Sequence, residues 1–269
     1  MTRKRSTTLS IRHEVTNASR YIDKPFVKAP TCKMSTVPLI KGEWNPDDSF
    51  HVLNELNSNR HEKFGLVVYR CTYKDDAAWQ TLKLALQENP QLEIDAGDHP
   101  ELAEKLEWVF MDDRSQLDGA TISALRPRFK QWAAEAIHAE NPRATGRGLC
   151  TFDFLRYRYF VHVDEAVLQD LIQEGVPPQA DRLGWPFVNL VDSEWEATDA
   201  LLEHSDSDSG EEQDEVEQYE PIEGCTEENV GCMRAELPMV TSLGFYTEQE
   251  GDQLWWWSFY RRPYDVVGY

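Results

Sequence analysis

From Leu183 to Met233 the chain holds sixteen Asp and Glu residues and neither Lys nor Arg. No other stretch limits the fold as strongly. Like charges at this density repel one another, and the centre of the run, Glu203 to Glu215, contains no apolar side chain to offset the entropy of ordering. The opposite extreme lies at the start, where residues 1–41 carry nine Lys and Arg against two acids, a local charge of +7 in a chain of −21. A core must therefore come from what lies between and beyond these segments. The reading is a basic, largely disordered arm over 1–60, the first part of an α+β domain over 61–198, an acidic disordered insert over 199–229, and a C-terminal aromatic hairpin over 230–269 that completes the same domain. A hydrophobic content of 41% is enough for one sizeable core.

A surface this acidic repels nucleic acid and anionic lipid, so nucleic acid is expected to meet only the basic arm. No apolar run approaches the roughly 18 residues of a membrane span, so no membrane partner is expected. Five scattered cysteines, an odd number, do not read as a disulfide framework, and the start Met1-Thr2-Arg3-Lys4-Arg5 has no apolar signal region. These features predict an intracellular protein, cytoplasmic or nuclear, with a mitochondrial destination as the alternative. Ser205 and Ser209 each have an acid three residues on, Asp208 and Glu212, and are candidate phosphorylation sites.

The folded part shows clear periodicities. Gly65–Tyr73 reads as a strand. Asp75 or Asp76 then caps a helix with Ala78, Trp79, Leu82, Ala85 and Leu86 on one face, which Asn89-Pro90 is expected to end. A short helix is expected from Pro100, a strand over Glu107–Asp112, and a helix from Ser123 to Ala139. Tyr157–Asp164 reads as a strand, Glu165–Ile172 as a helix capped by Asp164, and Pro186–Val191 as a further strand. Met239–Tyr246 and Gln253–Arg261 flank a glycine-containing turn and predict the hairpin. Strict alternation of strand and helix would suggest a parallel, doubly wound sheet. Arg156, Arg158 and His162 on one face of a strand argue against helices on both sides. The favoured fold is therefore an open-faced, ferredoxin-like α+β sandwich: a mostly antiparallel or mixed sheet with helices on one side, plus the C-terminal hairpin.

The row Arg156-x-Arg158-x-Phe160-x-His162-x-Asp164 is the strongest candidate for chemistry, since two guanidinium groups could grip an anion while His162 moves a proton. Asp112, Asp113 and Asp118 lack the ligand spacing of a metal site, and Cys225 and Cys232 lack a second ligand pair, so no metal is expected. Gly146-Arg147-Gly148 lacks the pattern of a phosphate loop, and no cofactor is expected. Trp255, Trp257 and Phe259 share one face of the last expected strand and are candidate interaction residues.

Gly65-Leu66-Val67-Val68-Tyr69-Arg70 with Asp75-Asp76-Ala77-Ala78-Trp79, Leu117-Asp118-Gly119-Ala120, Phe160-Val161-His162-Val163-Asp164-Glu165 and Phe187-Val188-Asn189-Leu190-Val191 resemble successive blocks of a set of short, uncharacterised proteins of filamentous fungi. The resemblance spans roughly 64–264 and implies no catalytic residues, because that family carries no established activity. The expected function is a non-catalytic protein-interaction protein, with a protein partner or a second copy of itself. The alternative is a small-molecule enzyme or binder with a pocket between two such sheets, an accessory to fungal secondary metabolism.

Overall fold

The computed structural model describes residues 46–144, 154–175, 185–197, 219–247 and 254–268; the basic arm up to residue 45, the Gly146-Arg147-Gly148 loop, Ser205 and Ser209 lie outside them. The first described element, α1 (Pro46–Asn59), falls inside the stretch read as an arm. Val52 and Leu56, one turn apart, are buried and make it part of the core.

Among the described residues six strands form one mixed sheet, β1 (Val67–Arg70), β2 (Val109–Met111), β3 (Tyr159–Val163), β4 (Phe187–Asp192), β5 (Cys232–Glu236) and β6 (Val266–Val267), in the order β2-β1-β3-β4-β5-β6. β2, β1 and β3 are parallel; β4 runs antiparallel to both its neighbours, and β6 pairs parallel with β5. The parallel trio is connected by α2 (Asp76–Ala96) and α4 (Ile122–Glu140).

Register shows where these helices lie. Phe110 pairs with Val68, and Phe160 pairs with the next residue along β1, Val67, so the two rings point to opposite faces. Trp79 of α2 meets Phe110 at 5.8 Å between centroids, and Phe129 of α4 meets Phe160 at 5.1 Å. Helices therefore cover both faces: the connection from β1 to β2 through α2 and the return from β2 past β1 to β3 through α4 run in opposite directions along the sheet, so crossovers of one hand place their helices on opposite sides. Every residue of β1, β3 and β4 is buried. The expected α+β class with a mixed sheet holds; the open face and the ferredoxin-like arrangement do not describe this topology. The arginines that argued for an open face are buried and internally paired, as set out below.

The caps follow the sequence. Asp75 accepts from the Ala78 N–H at 2.8 Å, and Asp164 accepts from the Val167 N–H at 3.0 Å to start α6 (Glu165–Glu174). α2 does not stop at Pro90. The proline costs a backbone bond, yet both it and Ile94 are buried, so packing carries the helix on to Ala96. The C-terminal hairpin is replaced by helices: α7 (Leu237–Thr241), a 3₁₀ turn (Leu243–Tyr246) and α8 (Leu254–Phe259). Trp256 and Tyr260 are buried while Ser258 between them is exposed, a pattern that fits a helical turn and not the alternating strand expected for the aromatic run.

Gly65 and Gly119 both hold positive φ, at +99° and +73°, but a Cβ at Gly65 would lie 2.5 Å from the Glu107 carbonyl oxygen whereas one at Gly119 meets nothing. Gly119→Ala is thus expected to cost only about 1 kcal/mol for the left-handed backbone, and Gly65→Ala to exceed it by at least about 1–3 kcal/mol. Urea unfolding of the two variants checks the order.

Candidate functional site

The row of five side chains is not a row. Leu155–Arg158 forms one helical turn, α5, so Arg156 and Arg158 precede β3 rather than lie along it. Arg156 is fully buried, at 0% exposure. Its Nε and Nη2 donate to the two oxygens of Glu140 at 2.7 and 2.8 Å. Its Nη1 donates to the carbonyls of Gly65, at 2.9 Å, and Glu107. Arg158 makes a second buried pair, donating to Asp192 at 3.2 and 2.8 Å. All three nitrogens of the Arg156 guanidinium are thereby engaged within the fold, and both guanidinium groups are committed to internal carboxylates.

His162 is on β3 as expected, facing α4 and buried. Its Nε2 donates to the Ala120 carbonyl at 3.2 Å, which leaves Nδ1 to accept an N–H from Asn189 at 3.4 Å. The Asn189 amide also donates to Asp164 at 3.2 Å. Burial pushes the His162 pKa below its ordinary value, against the pull of Asp164. An uncharged ring with both nitrogens engaged by the protein joins β3, β4 and the start of α6; it is not placed to shuttle a proton. The acids after β2 are likewise occupied: Asp112 accepts from the Trp79 indole at 2.9 Å and pairs with Arg70 at 3.4 Å, and Asp113 caps a short helix, α3 (Arg114–Leu117), through the Ser115 N–H at 3.0 Å. Among the described residues no group of three or more acid, His or Cys side chains could hold a metal ion. Burial raises the Cys71 and Cys232 thiols to about 12, which keeps them protonated and poorly nucleophilic.

A feature the sequence reading missed lies beside the first turns of α4. There a cleft of about 460 Å³ is lined by Ile122, Ser123 and Arg126 of the helix, by Trp195, and by the loop from Ile222 to Val230. Cys225 and Cys232, expected to be a poor zinc pair, both line it. Glu223, held at φ +47°, turns its carboxylate onto the Ile122 and Ser123 N–H groups at 2.8 and 3.0 Å and so caps the helix from outside. Arg126 donates to the carbonyls of Asp192, Val230 and Gly231 at 3.2, 2.9 and 3.2 Å, and its guanidinium lies 4.6 Å over the Trp195 ring. Gly231, at φ +65°, sits so close to Trp195 that a Cβ would approach within 2.3 Å of the ring. No local periodicity marks this cleft, because its walls are about 100 residues apart in the chain.

The expected interaction residues divide. Trp257 is 56% exposed, Phe259 is half-buried, and the Trp255 side chain lies outside the described part. Trp256, between them, is buried and stacks on Tyr159 at 5.5 Å. Tyr264 and Val266, further along the same segment, are exposed at 66% and 45%. No family model, curated protein or solved structure matches the chain.

Removing the Arg156 side chain (Arg156→Ala) strands Glu140 in the interior and is expected to cost about 3–5 kcal/mol, against less than about 1 kcal/mol for Arg143→Ala on the surface; denaturant titration distinguishes them. For His162 the sign follows from its lowered folded pKa. The unfolded chain takes up the proton first as pH falls, so the contribution of the neutral ring is complete above about 6.5 and is lost as pH drops toward the folded value. Glu93, pushed up to about 7 by burial, acts in the opposite sense, so the informative quantity is the difference between wild type and His162→Gln. That difference is expected to shrink between pH 7.5 and 5.

Proposed function

We propose that the chain is a non-catalytic protein-interaction protein that receives an acidic, extended segment of a partner along the outer edge of β6. The observation that carries this reading is the pairing of a sheet edge with exposed aromatics. β6 ends the sheet, with β5 on one side and no described strand on the other, and the segment that supplies it presents Trp257, Tyr264 and Val266 to solvent. A terminal strand offers backbone N–H and C=O groups to an added strand, and Trp, Tyr and Arg are the side chains that concentrate binding energy. Charge supports the nature of the partner. In a chain of −21, this segment carries Arg261, which is exposed, and Arg234 stands 4.8 Å from the Tyr264 ring. Arg262 holds the segment in place by donating to the Glu220 carbonyl at 2.7 Å and to carbonyls of Glu227 and Glu228.

The alternative, a pocket enclosed between two sheets around His162 and Arg158, needs an open sheet face. The residues facing that way are packed under α4 or paired with acids, which favours the interaction reading. The likeness to short fungal proteins and an intracellular setting, cytoplasmic or nuclear, belong to the same proposal.

Selection from a displayed library of nine-residue peptides tests it. Acidic, β-prone peptides are expected to be enriched, to protect the Val266 and Val267 amides from hydrogen exchange, and to bind at least tenfold more weakly to Trp257→Ser or Tyr264→Ser at unchanged melting temperature. Enrichment without acidic bias, or a dimer abolished by Trp257→Ser in place of peptide binding, overturns the assignment of the partner.

A further inference from the structure

We propose that the cleft beside α4 is a binding site for a small carboxylate-bearing molecule with a flat apolar body. Three independent features meet there. The first is a cation whose charge is not matched by an ion pair. Arg70, Arg156 and Arg158 each meet a carboxylate, but Arg126 makes no ion pair among the described residues. Its Nε and Nη2 reach only neutral backbone carbonyls, and its Nη1 donates to no described residue. A half-buried guanidinium in this condition gains from an anionic partner, and its planar edge matches a carboxylate.

The second feature is that Glu223, which lines the cleft together with Glu227, is already engaged. Glu223 turns both carboxylate oxygens to the first N–H groups of α4, so it does not close an ion pair with Arg126. The third is a rigid apolar wall. Trp195 is fixed between its contact with Gly231 and the Arg126 guanidinium, and Ile122, Ile222 and Val230 extend the surface around it. A cavity of about 460 Å³ accommodates a ligand of one or two fused rings. A flat body against the apolar wall of Ile122, Ile222 and Val230 with its carboxylate at Arg126 uses all three.

The proposed ligand does not occupy the β6 edge, although Arg262 ties the cleft loop to that segment through the Cys225 carbonyl, so its test can fail while the partner assignment stands. Indole-3-acetate is the probe and indole-3-acetamide, the same body without charge, is the control. Cys225 lines the cleft and is half-buried, so its alkylation by iodoacetamide, followed on its own peptide by mass spectrometry, reports occupancy at this place. Indole-3-acetate is expected to slow that alkylation and to raise the melting temperature at concentrations at least tenfold lower than the amide requires. Arg126→Gln should abolish the difference between the two compounds. Because Arg126 also holds three carbonyls, a second variant, Ser123→Leu, fills the cleft without touching them and should weaken the acetate at least tenfold while Trp257→Ser leaves it unchanged. Equal action of acetate and amide, failure of indole-3-acetate to protect Cys225 at millimolar concentration, or wild-type binding by Ser123→Leu overturns the proposal.

Discussion

The ion pair between Arg156 and Glu140 sets the geometry on which the rest of the parallel sheet depends. One guanidinium gathers the end of α4, through Glu140, and the backbone just before β1 and β2, through the carbonyls of Gly65 and Glu107. Those carbonyls converge only because Gly65 takes a left-handed conformation against the Glu107 backbone. The same carboxylate accepts the Tyr157 hydroxyl at 2.8 Å, and Asn141 donates to that hydroxyl at 2.8 Å. A network in which each buried polar group has a partner is rigid, since any displacement leaves a group unsatisfied in a medium of low dielectric.

This arrangement also explains which parts of the fold could be read from the residues alone. β1, β2, β4, the start of α2, the face of α4 and the Asp164 cap follow from local patterns: apolar alternation, a 3.6-residue stripe, an acid before a helix. The layering does not. A guanidinium before β3 looks like a solvent-facing group until its acceptors are known, and Glu140 and Asp192 are 16 and 34 residues away from Arg156 and Arg158. The sandwich reading failed for that reason, since it treated charge as exposure. The aromatic run failed for a different one. Three adjacent tryptophans satisfy a period of two and a period of 3.6 about equally well, and the exposure of Ser258 between buried Trp256 and Tyr260 decides between them, since a strand would turn all three the same way. Of the candidate site, His162 was visible as a residue but not as a neutral, fully engaged one.

The distribution of cations bears on how the molecule meets others. Arg70, Arg156 and Arg158 are taken into the interior, where each neutralises an acid. Those pairs take up cations that would otherwise offset the acid surplus of the chain, so Arg234 and Arg261 near β6 stand out even with Asp265 beside them. Such contrast favours orientation during encounter more than it favours tight binding.

Glu223 caps a helix that begins 101 residues earlier. During synthesis the first turn of α4 would leave the ribosome long before its acceptor exists, and β4 can find β5 only after the acidic stretch between them has been made. Closure of that half of the sheet is therefore deferred until β5 has been made, a pairing distant in sequence that is slow to form. A nascent molecule of this kind has an interval in which the Arg126 side of α4 is bare, and the acids that emerge between β4 and β5 add like-charge repulsion before that interval closes.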